Sequence, residues 1–145
     1  MKLRILISGL VMLVMIQGKS QAVIDLSKDE VKLVIKKEHR KLSPDRSIVK
    51  QQFNYLKFVN RSQTVTLIVY FSDNDIATSS KMVCDYAEYD FVLDDLNEKY
   101  KKAGKKKWEY EKDGIAYKVE LKEEEWYFTV RERKKEQKKS LFKKK

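Results

Sequence analysis

Few side chains of this 145-residue chain belong to the types that build catalytic or metal sites. His39 is the only histidine and Cys84 the only cysteine, whereas a zinc site draws on several such ligands. The sequence therefore predicts no metal site, and a Cys–His pair is the one nucleophilic arrangement that remains formally possible. Because Cys84 follows Met82 and Val83, we expect a small buried hydrophobe rather than a reactive thiol. We expect His39 to be a solvated residue on a helix face.

Asp73, Asn74 and Asp75 have the composition of the start of a calcium-binding loop. An EF-hand loop needs Gly at its sixth position and Glu at its twelfth, where this chain has Thr78 and Cys84. We therefore interpret the segment as a surface turn.

Acidic residues are numerous enough to supply a carboxylate pair of the kind that glycosidases use. The acidic runs at residues 94–95 and 123–125 are typical of solvated faces, and the sequence does not show how far apart carboxyl groups lie. No nucleophile-elbow, zincin, phosphate-loop or dinucleotide-binding motif is present. The sequence predicts no catalytic residue and no cofactor, and a small hydrolase with a carboxylate pair is kept as an alternative.

The net charge of +10 is concentrated at the two ends of the chain. Residues 1–22 carry three bases and no acid, and residues 131–145 carry nine bases and two acids. Residues 23–130 hold 20 bases and 20 acids, so the predicted domain is neutral overall. This balance argues against a nucleic-acid-binding face. With 42% hydrophobic and 11% aromatic residues, the chain has the composition of a globular protein.

Residues 1–22 have the organisation of a cleaved export signal. Two bases precede an apolar run over residues 5–16, which is shorter than the ~20 residues that cross a bilayer. Ser20 and Ala22 supply the small side chains that signal peptidase requires, so we expect cleavage after Ala22. We expect a secreted or periplasmic protein, and not a lipoprotein, because no cysteine lies near this site. An uncleaved N-terminal anchor is the alternative.

Two segments have helical patterns. Ser27 and Glu30 have the spacing of a capping box at the start of the first helix, and Pro44 predicts its end one residue earlier. The second helix is predicted over residues 85–102, where apolar residues recur at three- and four-residue steps. Gly104 is its predicted C-cap.

Five strands are predicted from alternating or β-branched segments. In chain order they cover residues 53–59, 64–71, 108–111, 115–122 and 126–131. Asp113 and Gly114 predict a type I′ hairpin turn, whereas residues 45–52 and 76–83 are not assigned. The sequence predicts a two-layer α+β domain over residues 23–132, with an antiparallel sheet of about five strands packed against two helices. Its order, α-β-β-α-β-β-β, suggests two copies of an α-β-β unit.

One face of this sheet is predicted to point away from the helices. The residues expected on it are Thr66, Tyr70, Tyr127, Thr129 and Arg131. Tyrosine offers a large amphipathic area at low entropy cost, which favours a peptide or protein partner over a small ligand. The leading hypothesis is an exported, non-enzymatic binding module, and ordinary half-buried sheet residues are the alternative.

Residues 133–145 are predicted to be a polybasic tail without stable structure. The lysines expected to contact polyanions are Lys134, Lys135, Lys138, Lys139, Lys143, Lys144 and Lys145. A protein held to anionic lipid or glycan at the cell envelope by this tail is the second hypothesis. We expect no nucleic-acid partner, because an exported protein seldom meets one.

Asn60, Arg61 and Ser62 match the acceptor sequence for N-glycosylation on the predicted hairpin turn. The modification depends on the source, since a bacterial protein would use Asn60 only as a turn residue.

Overall fold

Residues 22–47 and 53–136 are described by the computed structural model and form two helices and one antiparallel sheet. The helices are α1 (Lys28–Glu38) and α2 (Tyr89–Lys99). The strands are β1 (Leu42–Pro44), β2 (Tyr55–Asn60), β3 (Val65–Phe71), β4 (Ala77–Cys84), β5 (Lys101–Gly104), β6 (Lys107–Lys112), β7 (Ile115–Glu123) and β8 (Phe128–Lys134). The predicted α+β class is confirmed, but the sheet has eight strands rather than about five.

The strands lie in the order β1-β2-β3-β4-β8-β7-β6-β5, and all neighbours are antiparallel. Each helix is followed by four strands, so the chain contains two α-β-β-β-β units rather than two α-β-β units. The last strands of the two units, β4 and β8, pair with each other at the centre of the sheet. The two units therefore share one continuous sheet.

The first helix ends earlier than predicted. Its capping box is confirmed, because Ser27 and Glu30 bond reciprocally through side chain and backbone. The helix ends at Glu38, where His39 adopts φ −120° and ψ 56°. Pro44 lies instead in the edge strand β1, where the missing N–H of proline is tolerated.

The second helix is also shorter than predicted. Tyr100 is already extended, with φ −125° and ψ 155°, and residues 101–104 pair with β6. Gly104 is consequently a strand residue, and the prediction of a C-cap there was wrong. The helical periodicity continued into Lys101 and Lys102 because lysine is compatible with either structure.

The helices pack on one face of the sheet, and the core lies between them and that face. The buried residues on the helices are Val31, Val34 and Ile35 of α1 and Val92 and Leu96 of α2. Cross-strand partners form one apolar row beneath them, made of Phe58, Leu67, Met82, Val130 and Leu121. The α1 residues share a core cluster with Phe58 and Leu67, and the α2 residues share one with Leu121 and Val130. Since paired residues share a sheet face, both helices cover the same side.

The β6–β7 turn is confirmed, because Asp113 and Gly114 have φ of 52° and 75°. The last strand is displaced from its prediction toward the C-terminus. Trp126, the first residue of the predicted strand, lies instead in the preceding turn and is 78% exposed. Because β8 continues to Lys134, the first two residues assigned to the tail belong to the sheet.

No helix in the described ranges is long and apolar enough to cross a membrane. The predicted export signal lies outside the described residues apart from Ala22, and export stays a prediction.

Candidate functional site

The side of the sheet opposite the helices, called the open face below, has no helix packed on it in the described part of the chain. Strand pairing arranges its side chains in three rows that cross the sheet. The first row is Ser43, Val59, Thr66, Val83, Thr129 and Lys122. The middle row is Lys57, Ile68, Lys81, Arg131, Glu120 and Lys107. The third row is Tyr55, Tyr70, Ser79, Arg133, Lys118, Glu109 and Lys101.

Four of the five residues predicted on this face lie on it. Thr66, Tyr70, Thr129 and Arg131 occupy the three rows, although Thr129 is only 7% exposed and offers little contact area. Tyr127 lies in the turn before β8, at the edge of the face, and is 41% exposed. The structure therefore brings together most of the predicted set, while any role in binding stays a prediction.

The strands β2 to β4 carry the apolar half of the open face. Its members are Tyr55, Val59, Ile68, Tyr70 and Val83, all of them half-buried. Ile68 shares the alternation that identified Thr66 and Tyr70, so its place on this face was visible in the sequence. Val83 was not assigned, because the polar start of β4 conceals a strand.

Basic side chains outnumber acidic ones over the open face as a whole, including Lys57 and Lys81 on the strands of the apolar half. Counting the three rows together with Glu111, eight basic side chains stand against three acidic ones. Six of these bases and all three acids lie within residues 23–130, whose overall neutrality conceals the imbalance because the compensating acids lie elsewhere in the fold. Residues 85–99, which include α2, hold six carboxylates and one lysine. A neutral total thus coexists with a basic face.

Several open-face cations have carboxylate partners. Lys57 Nζ lies 2.8 Å from a carboxylate oxygen of Asp45. Glu120 lies at the limit of ion pairing with two bases, 4.0 Å from Lys107 and 3.9 Å from Arg133. These contacts leave the centre of the face, between Lys57 and Glu120, without acids of its own.

Lys81 and Arg131 occupy that centre. They are directly opposite each other on β4 and β8, and like charges in such a pair repel. Within the described ranges, neither they nor Lys118 has a carboxylate oxygen within 4.0 Å. Arg133 Nε is buried and has no hydrogen-bond partner in that part of the chain.

The first two lysines of the predicted tail are engaged with the domain. Lys134 Nζ lies 2.5 Å from Asp25, and Lys135 Nζ lies 2.7 Å from Glu109. Both are therefore partly neutralised. The remaining predicted polyanion contacts lie outside the described residues; they are Lys138, Lys139, Lys143, Lys144 and Lys145.

The lone cysteine and histidine lie apart from this face. Cys84 is 1% exposed, as predicted, and burial raises the pKa of its thiol to about 12. His39 is half-buried at the C-cap of α1 rather than solvated on the helix face, and burial lowers its pKa. The charged groups that also act on the His39 pKa are Lys99, Asp95 and Glu38, and no hydrogen bond joins it to Cys84.

Acids of the predicted surface turn and of the run at residues 123–125 form ion pairs at the surface. Asp75 is paired with Lys28 at 3.0 Å and accepts a hydrogen bond from Asn54, in a turn between β3 and β4. Glu123 pairs with Lys106 at 2.6 Å. No group of three or more metal-ligating side chains occurs among the described residues.

A polar network lies within the core beneath the helices. Glu132 projects from β8 into it and accepts a hydrogen bond from the Tyr110 hydroxyl. Burial raises the pKa of Glu132 and also that of Tyr110. Tyr110 stacks on Tyr117, with ring centroids 4.8 Å apart, and the Tyr117 hydroxyl donates to Asp25.

Asn60 holds the β2–β3 turn. Its amide donates to Ser62 and Thr64 at 3.1 and 2.8 Å, and its carbonyl oxygen accepts from the backbone N–H of Val65 at 3.0 Å. A glycan on the amide nitrogen would replace one of that nitrogen's two donated protons. The turn assignment is confirmed, and glycosylation stays a prediction.

No protein-family model matches this chain, and no curated protein or solved structure is significantly similar to it.

Proposed function

We propose that this chain is an exported binding module that takes a protein partner on the open face of its sheet and catalyses no reaction. The observation that carries the proposal is a face of the eight-stranded sheet on which no element of residues 22–47 and 53–136 packs, with both helices on the other side. An antiparallel sheet commonly keeps one face solvated, and the side chains on that face are then mostly polar. Here five of the nine outward side chains of β2 to β4 are apolar, which favours an occupant with apolar side chains.

The rigidity of the open face supports a role in binding a protein partner. Its side chains project from paired strands, so their spacing is fixed before binding. Tyr55 and Tyr70 are cross-strand partners, so both side chains project from neighbouring positions on a fixed backbone. Preorganised aromatic groups of this kind lose little entropy when a partner docks.

The test uses a photo-crosslinking amino acid placed at single positions in the full chain, in the cells that naturally express it. The probe at Ile68 reports on the open face, and the probe at Leu33, 67% exposed on α1, is the matched control. We expect a discrete crosslinked protein from Ile68 that Leu33 does not give. Crosslinking from Leu33 alone, or equal labelling from both positions, would contradict the proposal.

A further inference from the structure

We infer that the partner places an acidic, partly apolar protein segment across the seam between β4 and β8, with carboxylates on Lys81 and Arg131. This inference rests on the proposed function and specifies the chemistry of its partner.

Like charges repel each other at the seam between β4 and β8. Lys81 and Arg131 face each other across neighbouring strands, which lie about 4.8 Å apart in any sheet. Like charges at directly opposite positions disfavour the pairing. A carboxylate supplied from outside would convert this repulsive pair into two attractive contacts.

The described part of the domain does not supply this carboxylate. Glu120 is the next residue in the middle row, but its carboxylate is directed to Lys107 and Arg133. Within residues 22–47 and 53–136, no carboxylate oxygen, including those of Glu120, lies within 4.0 Å of a side-chain nitrogen of Lys81 or Arg131. Arg131 is exposed, so its guanidinium is available for a two-point contact with a carboxylate.

Apolar side chains lie beside the seam. Ile68 is the cross-strand partner of Lys81, and Val83 lies beside it in the first row. A segment that reaches the seam therefore also lies over the apolar half of the open face. Apolar contact supplies affinity there, while the two cations select for acidic sequence.

These surroundings favour a protein over a nucleic acid, glycan or lipid surface. A polyanion with uniform charge would meet Glu109 and Glu120 among the bases and would leave Ile68 and Tyr70 without apolar contact. An acidic protein segment satisfies both halves of the face. A second copy of the chain, offering its acidic residues 85–99, is a separate outcome of the test.

The experiment is an NMR titration of the full chain with a ten-residue peptide in which glutamate alternates with isoleucine or tyrosine. The comparison ligands are the same peptide with glutamine for glutamate, a heparin oligosaccharide and phosphatidylglycerol vesicles. We expect the acidic peptide to shift amide signals of β4 and β8 and to bind at least tenfold tighter than its glutamine twin. The double variant Lys81→Gln/Arg131→Gln should remove that preference.

The matched control is Lys36→Gln/Lys37→Gln, which removes the same charge from the exposed last turn of α1. It should bind the acidic peptide like the unaltered chain. Equal binding of the two peptides, stronger open-face shifts with oligosaccharide or vesicles, or no shifts at millimolar acidic peptide would overturn the inference. Self-association that the seam variant abolishes would instead assign the face to a second copy.

The outcomes also separate this inference from the proposed function. A partner that crosslinks at Ile68 and binds the seam variant unchanged would refute the acidic segment but leave the binding face in place. Absence of any open-face crosslink would refute the binding face itself.

Discussion

At the scale of single residues, the most informative group is the buried carboxyl of Glu132. It lies among Tyr110, Tyr100 and Tyr117 beneath the helices, where desolvation disfavours its charged form. A hydrogen bond from Tyr110 acts in the opposite direction but does not cancel the effect of burial. The burial of Glu132 was not predictable from the sequence, because a glutamate in a basic segment near the C-terminus has the pattern of a solvated charge.

The raised pKa of Glu132 predicts a specific pH dependence of stability. The folded state binds the proton more tightly than the unfolded state does, so this group favours folding most below its ordinary pKa. That contribution is lost as pH rises through the folded-state pKa. Glu132→Gln, which keeps an acceptor for Tyr110, should therefore gain stability relative to the unaltered chain as pH rises from 4 to 8.

The expected gain at pH 8 is about 1–3 kcal/mol, the usual cost of an imperfectly satisfied buried group. Urea unfolding at both pH values measures it. Glu98→Gln, which removes the same charge from the exposed side of α2, is the matched control. A stability difference between Glu132→Gln and the unaltered chain that stays constant with pH would show that Glu132 is charged in the fold.

At the scale of elements, helix starts and hairpins were predictable, while strands without alternation were not. The capping box at Ser27 and the turn at Asp113 depend on a few neighbouring residues, so local sequence was sufficient. The strand β4 begins Ala-Thr-Ser-Ser, and its place at the centre of the sheet comes from pairing with β3 and β8. Long-range pairing of this kind leaves little local signal.

The edge strands β1 and β5 were missed for a related reason. Each is separated from the preceding helix by no more than three residues, and their three and four residues are too few for a period-two pattern to appear. The apolar part of the candidate site was predictable where alternation was clear, as at Thr66 and Tyr70. The basic part was not, because it arises from residues on β4, β6, β7 and β8 that are distant in sequence.

The two glycines of the second unit predict opposite responses to alanine. Gly114 has φ +75°, a conformation that costs an L-residue roughly 1–2 kcal/mol, so Gly114→Ala should destabilise the domain by about that amount. Gly104 lies in β5, and an added Cβ would meet Lys107 at an ordinary 3.8 Å. Gly104→Ala should leave the free energy of unfolding unchanged or raise it slightly, as urea denaturation would show. Equal losses for the two variants would contradict the assigned turn.

At the scale of the whole molecule, charge separation is the property that the total of +10 concealed. Eight basic residues of the sheet lie on the open face, and the acids of residues 85–99 lie with the helix layer. The distinction matters because a partner meets a surface, and not the sum of the sequence. Neutrality over residues 23–130 therefore carried less information about partners than the sequence suggested.

The tail contributes less free positive charge than its sequence indicates. Lys134 and Lys135 form ion pairs with the domain, so any attraction to anionic surfaces depends on the lysines beyond them. The open face provides a second cationic surface that is independent of the tail. The two surfaces predict different salt responses, since apolar contacts on the open face are not screened by salt.

The most direct test of the account is the affinity of the partner crosslinked through Ile68, measured by calorimetry against two single variants of the full chain. Ile68→Asp places a charge in the apolar half of the open face, and Leu33→Asp makes the same change on the exposed side of α1. If the partner docks on the open face, binding should be at least tenfold weaker for Ile68→Asp and unchanged for Leu33→Asp. Unchanged binding by a folded Ile68→Asp variant would contradict docking there.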